Sequence, residues 1–137
     1  MFYKLVLIAL LTGMRRGEIF SLEWSDIQLD MNRIILSHTK TKSKKQGVVP
    51  ISPMLKEIIL SLKSDSRYMI TGYTTDQLRG HWEKLTDILP FGRIKDGSRM
   101  RYHDLRGVYG TFMLDSGLDI VDVQHLLHHS TPVITQQ

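Results

Sequence analysis

Between Phe2 and Leu11 the chain reads FYKLVLIALL, a run whose only charge is Lys4. A helix that is apolar nearly all round has to be enclosed by other protein, because it offers no face to water. The run is too short to cross a bilayer. Met1–Lys4 followed by Leu5–Leu11 imitates a secretory signal, yet the next residues, Thr12-Gly13-Met14-Arg15, contain no small-x-small cleavage site. The run is therefore expected to be a core helix around which the rest of the chain wraps, ended or bent by Gly13, and no membrane segment is expected. A length of 137 residues fits one domain with a single core. The absence of cysteine excludes a disulfide framework and a cysteine-ligated metal, and suits a cytoplasmic location.

The pattern that follows is helical, then extended, then helical again. Met14–Leu22 reads as a second helix. Ile27–Leu29, Arg33–Ser37 and Val48–Ile51 are short and rich in branched apolar residues, with Asp30-Met31-Asn32 as a turn between the first two. They predict a small three-stranded antiparallel sheet. Ser52 and Pro53 mark a helix start, and Leu55, Ile58, Ile59 and Leu62 recur at helical spacing behind it. A further helix after Thr75 carries Leu78, Trp82, Leu85 and Leu89 on one side, and Phe91–Tyr102 reads as loop. The last third predicts a helix from near His103 with a stripe of Leu105, Val108, Tyr109, Phe112 and Met113. Gly117 ends it, Asp119 caps the next, and Ser130-Thr131-Pro132 starts another. The expected class is α+β, mainly α, with one small sheet.

The net charge of +4 is unevenly spread. Lys40, Lys42, Lys44 and Lys45 form one basic stretch, and Arg93–Arg106 holds five basic residues against Asp96 and Asp104, which leaves the remainder net negative. Two such patches suit a polyanion partner, or equally two solvated surface segments.

Four groups of residues could carry chemistry. His103 and Arg106 are three apart, so one helix face would present both, with Gly107 and Gly110 allowing close approach. Together they suit an anion that exchanges protons, or else a surface histidine and an arginine paired with Asp104. Arg15 stands at a helix start, where it could grip a phosphate oxygen or form a surface ion pair; Glu18 could orient Arg15 or Arg16. A lysine of the 40–45 stretch could protonate a leaving alkoxide or simply touch phosphates. His125, His128 and His129 have helical spacing, but no nearby carboxylate or thiolate completes a metal site, so no metal is expected.

The order and flanks of these groups resemble a known family. Thr12-Gly13-Met14-Arg15-Arg16-Gly17-Glu18-Ile19 resembles the first-arginine box of the tyrosine recombinases of the phage integrase family. Thr41–Lys45 running into Val49-Pro50-Ile51-Ser52 is similar to their lysine hairpin, and His103-Asp104-Leu105-Arg106-Gly107 to their His-x-x-Arg box. Leu126–Pro132 resembles the stretch that leads to their nucleophilic tyrosine. The resemblance implies a helical catalytic domain across residues 1–137 that breaks and rejoins double-stranded DNA through a 3′-phosphotyrosine, without metal or nucleotide cofactor. Arg15 and Arg106 would hold the non-bridging oxygens of the scissile phosphate. Lys42, eight residues before Pro50, would protonate the leaving 5′-oxygen. His103 would handle the nucleophile's proton and His129 would bond the phosphate, with Glu18 in support. Lys40, Lys44, Lys45, Arg99 and Arg101 would contact DNA. Full-length relatives act as tetramers on DNA.

Two departures bear on this. The family tyrosine stands nine residues after the third-box histidine, which from His129 is position 138, and His128 replaces a usual glycine. The start of the domain and a preceding DNA-gripping domain are likewise expected to be missing. The 137 residues alone are therefore expected to bind DNA weakly and cleave nothing. The alternative reading is a non-catalytic DNA-binding remnant or regulator of the same fold.

Overall fold

The computed structural model describes residues 1–37, 47–89, 92–93 and 96–115. Lys40, Lys42, Lys44, Lys45 and the segment from 116 onward, including His125, His128 and His129, lie outside them, as do the helices expected after Gly117.

Helix α1 (Phe2–Thr12) is the core helix that its apolar run demands: Leu5, Ile8 and Ala9 are buried. Gly13 ends it at φ 68°, in the left-handed region where a side chain would be strained, and its N–H closes the helix on the Ala9 carbonyl. Helix α2 (Arg16–Ser21) is shorter than the expected Met14–Leu22, because Arg15 is extended (ψ 152°) and caps it from outside.

The sheet has the expected composition and order. Strands β1 (Ile27–Gln28), β2 (Arg33–Leu36) and β3 (Gly47–Pro50) run antiparallel, with Ile27 opposite Ile34 and Ile34 opposite Val49. Asn32 makes the turn before β2 in the left-handed region at φ 51°, a conformation Asn tolerates better than most residues. Ile34, Leu36 and Val49 face the core, and Val48 faces outward, as period-two alternation requires.

Ser52 caps helix α3 (Pro53–Ser61), its hydroxyl accepting from the Leu55 N–H at 3.2 Å. Thr74 and Gln77 form a reciprocal capping pair on helix α4 (Thr75–Ile88). Leu55, Ile59, Leu78 and Trp82 are buried against the α1 core. Each such side chain contributes roughly 1.5–3 kcal/mol by leaving water.

The stretch expected to be loop before His103 is partly a hairpin: Arg93 bridges Arg99 in antiparallel fashion, and the Met100 N–H donates to the Gly92 carbonyl at 2.8 Å. A tight turn (Tyr102–Asp104) then leads into helix α5 (Leu105–Asp115), which packs on α1. Leu105 and Tyr109 are buried as expected, but Val108 is 47% exposed and does not belong to the apolar stripe. No helix among the described residues is long and apolar enough to cross a membrane.

Candidate active site

Arg15 and Arg106, ninety-one residues apart in sequence, are brought together by one carboxylate. The Arg15 backbone N–H donates to Glu18 Oε1 at 2.7 Å, so Glu18 reaches back over the α2 start. Its other oxygen lies 3.8 Å from Arg15 Nη1, and Oε1 lies 3.6 Å from Arg106 Nη1. Glu18 and Arg106 are almost fully buried, at 3% and 4% side-chain exposure, whereas Arg15 retains 17%. Arg15 is aimed by what precedes it. The Thr12 hydroxyl donates to the Ile8 carbonyl and accepts from the Met14 N–H, and Gly13 reverses the chain between them.

The geometry bears on three expectations. Glu18 orients Arg15 and, beyond what spacing suggested, Arg106; Arg16 is exposed and makes no ion pair among the described residues. Asp104 pairs with Arg101 (3.3 Å), not with Arg106. His103 and Arg106 do not share one exposed face: the tight turn at His103 leaves it at the surface, while Arg106, the second residue of α5, is buried. Gly107 is exposed, with open space where a side chain would be, but Gly110 is buried.

The electrostatics favour an anion. Arg106 is pushed down to about 10, first by burial and then by the Arg15 cation, with Glu18 opposing. His103 is also held below its ordinary value, by partial burial and by the positive charges of Arg106, Arg101 and Arg15. One carboxylate thus faces two guanidinium groups beside a histidine kept neutral. Binding an anion there would relieve the repulsion that burial amplifies.

The whole chain from residue 2 to residue 137 matches the Phage integrase family. The chain belongs to that family. Among curated proteins, tyrosine recombinase XerA of Thermococcus onnurineus is 32% identical over 133 residues, 90% of this chain and 45% of that one. XerA of Pyrococcus furiosus is 32% identical over 142 residues, covering 96% and 47%. XerC of Bacillus pumilus is 30% identical over 138 residues, covering 91% and 44%. The chain spans about half the length of the curated relatives it matches. Among solved structures, the XerH site-specific recombinase bound to its difH substrate superposes with a TM-score of 0.76 at 19% identity, over 98% of this chain and 41% of that one. The catalytic domain of bacteriophage HP1 integrase gives 0.68 at 26% identity, over 97% and 70%. The mainly helical integrase fold with its small sheet is thus shared with both.

Of the other expected DNA contacts within this integrase-family domain, Arg101 is exposed. Arg99 is tied down: its Nη1 donates to the Glu83 carbonyl (2.6 Å) and Thr86 Oγ1 (2.7 Å) and lies 2.9 Å from Asp87. Two structural residues escaped the sequence reading. Trp82 was placed in the core, but its N–H donation to the Met100 carbonyl at 2.7 Å has no sequence signature. Tyr102, adjacent to the His-x-x-Arg box, stands in the sequence only as the last residue of the expected loop, and nothing there marks its bond to the Leu5 carbonyl.

Proposed function

We propose that this chain is the catalytic segment of a site-specific DNA recombinase that cuts and rejoins strands through a 3′-phosphotyrosine. The observation that carries the reading is the convergence of Arg15 and Arg106 on buried Glu18, beside a histidine held neutral. Two preorganised guanidinium groups suit the non-bridging oxygens of a phosphodiester, and they would gain most where charge builds up in the pentacoordinate transition state. His103 can accept the proton of an attacking phenol, its protonated form being disfavoured first by partial burial and then by the arginines around it. Lys42 would protonate the leaving 5′-oxygen and His129 would bond the phosphate. Lys40, Lys44, Lys45 and Arg101 would hold the flanking backbone, whereas Arg99, tied to α4, would serve the fold instead.

Solved relatives support DNA as the partner, among them the Tn1549 transposon integrase in complex with transposon right end DNA. On this reading the 137 residues form one catalytic unit that uses no metal or nucleotide, acts in the cytoplasm, and assembles as a tetramer on DNA when joined to a nucleophilic tyrosine. A polypeptide of residues 1–137 alone supplies no tyrosine at the family position and would form no covalent adduct.

The test is trapping of the protein–DNA adduct on a nicked duplex, using a protein that carries these residues together with that tyrosine. Lys42→Ala and Arg106→Ala should each abolish the adduct, and Lys42→Ala should leave most DNA binding intact. Normal cleavage by either variant would remove that residue from its role. Adduct formation by residues 1–137 alone would overturn the assignment of the nucleophile.

A further inference from the structure

Tyr102 stands immediately before His103, and its hydroxyl donates to the Leu5 carbonyl of α1 at 2.6 Å, across 97 residues of sequence. Leu5 lies in the helix that runs through Thr12 and Gly13 into Arg15. The ring of Tyr102 meets Trp82 edge-on, with centroids 5.8 Å apart and planes at 85°. Trp82 in turn holds the Met100 carbonyl, two residues before Tyr102. Burial raises the phenol well above its ordinary value, so the hydroxyl remains a donor at every working pH.

Glu18 holds the Arg15 backbone N–H at 2.7 Å, but it meets the two guanidinium groups at 3.6 and 3.8 Å, through side chains with several rotatable bonds. Those contacts can persist over a range of backbone spacings. Apolar packing of α5 on α1 is likewise non-directional and resists sliding weakly. The Tyr102 bond is directional and ties a stiff aromatic side chain beside His103 to the backbone carbonyl of Leu5 in α1. Displacement of reacting groups by about 1 Å can cost about a hundredfold in rate. We infer that Tyr102, braced by Trp82, is a positioning residue that fixes the spacing between the Arg15 turn and the His103–Arg106 turn, and with it the width of the phosphate cradle. This rests on the reading of Arg15, His103 and Arg106 as a phosphate site.

Tyr102→Phe removes the hydroxyl and keeps the ring. The 137-residue chain is to be labelled at histidine, the His103 ring followed by NMR against pH, and inorganic phosphate titrated in. In the variant His103 should titrate closer to an ordinary histidine, because it gains solvent and loses proximity to Arg106. Phosphate binding should weaken about fivefold, the low end of the coupling between two sites. Tyr109→Phe, which also removes the hydroxyl of a buried tyrosine, this one in α5, should leave His103 unchanged. Trp82→Phe, which deletes the indole N–H to Met100, should move His103 in the same direction as Tyr102→Phe and carries the test if that variant is unstable. Superimposable His103 titrations in wild type, Tyr102→Phe and Trp82→Phe would overturn the inference. Failure of wild type to bind phosphate would instead defeat the phosphate-site reading, and the His103 comparison would still decide the role of Tyr102.

Discussion

Glu18 is the residue on which the site's electrostatics turn. It is a buried carboxylate between two cations, and removing its charge leaves Arg15 and Arg106 facing each other in a poorly hydrated place. Glu18→Gln should therefore cost about 3 kcal/mol in urea unfolding, the scale of breaking a buried ion pair from one side. A loss well under 1 kcal/mol would mean that the ion pairs with Glu18 contribute little to folding. His103 gives a second prediction, on pH. Its folded value lies below the ordinary 6.5, so the unfolded chain binds its proton more readily. No penalty exists well above 6.5; it grows as pH falls from there to the folded value and is constant below. His103→Gln should flatten the stability profile in that window, and an unchanged slope would place the titration elsewhere.

At the level of elements, the end of α4 is a latch for the hairpin that feeds the His-x-x-Arg turn. Arg99 satisfies two α4 oxygens and pairs with Asp87, and Gly92 lies so close to α4 that a Cβ there would fall 1.9 Å from the Thr86 carbonyl oxygen. The Thr86 hydroxyl also donates to the Glu83 carbonyl, so an arginine from a distant loop joins a small hydrogen-bonded cluster in the last turns of α4. Arg99→Ala should accordingly lower stability by about 1–2 kcal/mol with little change in the salt dependence of DNA binding. Arg101→Ala should do the reverse, lowering the slope of log affinity against log salt by about 1 with little effect on folding. Opposite outcomes in denaturation and in salt-titrated binding would exchange the two roles. This division was not legible in the sequence: Arg99 and Arg101 sit two apart in the same basic stretch, and only the fold puts the end of α4 beside one of them.

For the molecule as a whole, two buried or half-buried cations sharing one carboxylate are a burden that an anion relieves. Inorganic phosphate or sulfate should raise the thermal midpoint, because a ligand bound only by the folded state stabilises it by mass action. At a hundredfold excess over the dissociation constant that is about 2.7 kcal/mol. Arg106→Ala should lose the effect even if it folds. Stabilisation that persists undiminished in Arg106→Ala would move the anion to another surface.

Local pattern was enough for much of this. The apolar run of α1, the αL glycine behind it, the Ser52 cap and the period-two alternation of β2 and β3 are each determined by a few neighbouring residues, and so could be read directly. The residues Arg15, Glu18, His103 and Arg106 could be singled out because their chemical types stand in a recurring order. Contacts between distant residues depend on three-dimensional placement, and no local period encodes them. The tertiary structure alone decided that Arg106 turns inward to share Glu18 with Arg15, that Arg99 closes α4, and that the Tyr102 hydroxyl reaches Leu5. Burial is what gives those contacts their force, since it strips water from charges and donors whose positions along the chain say nothing of their partners.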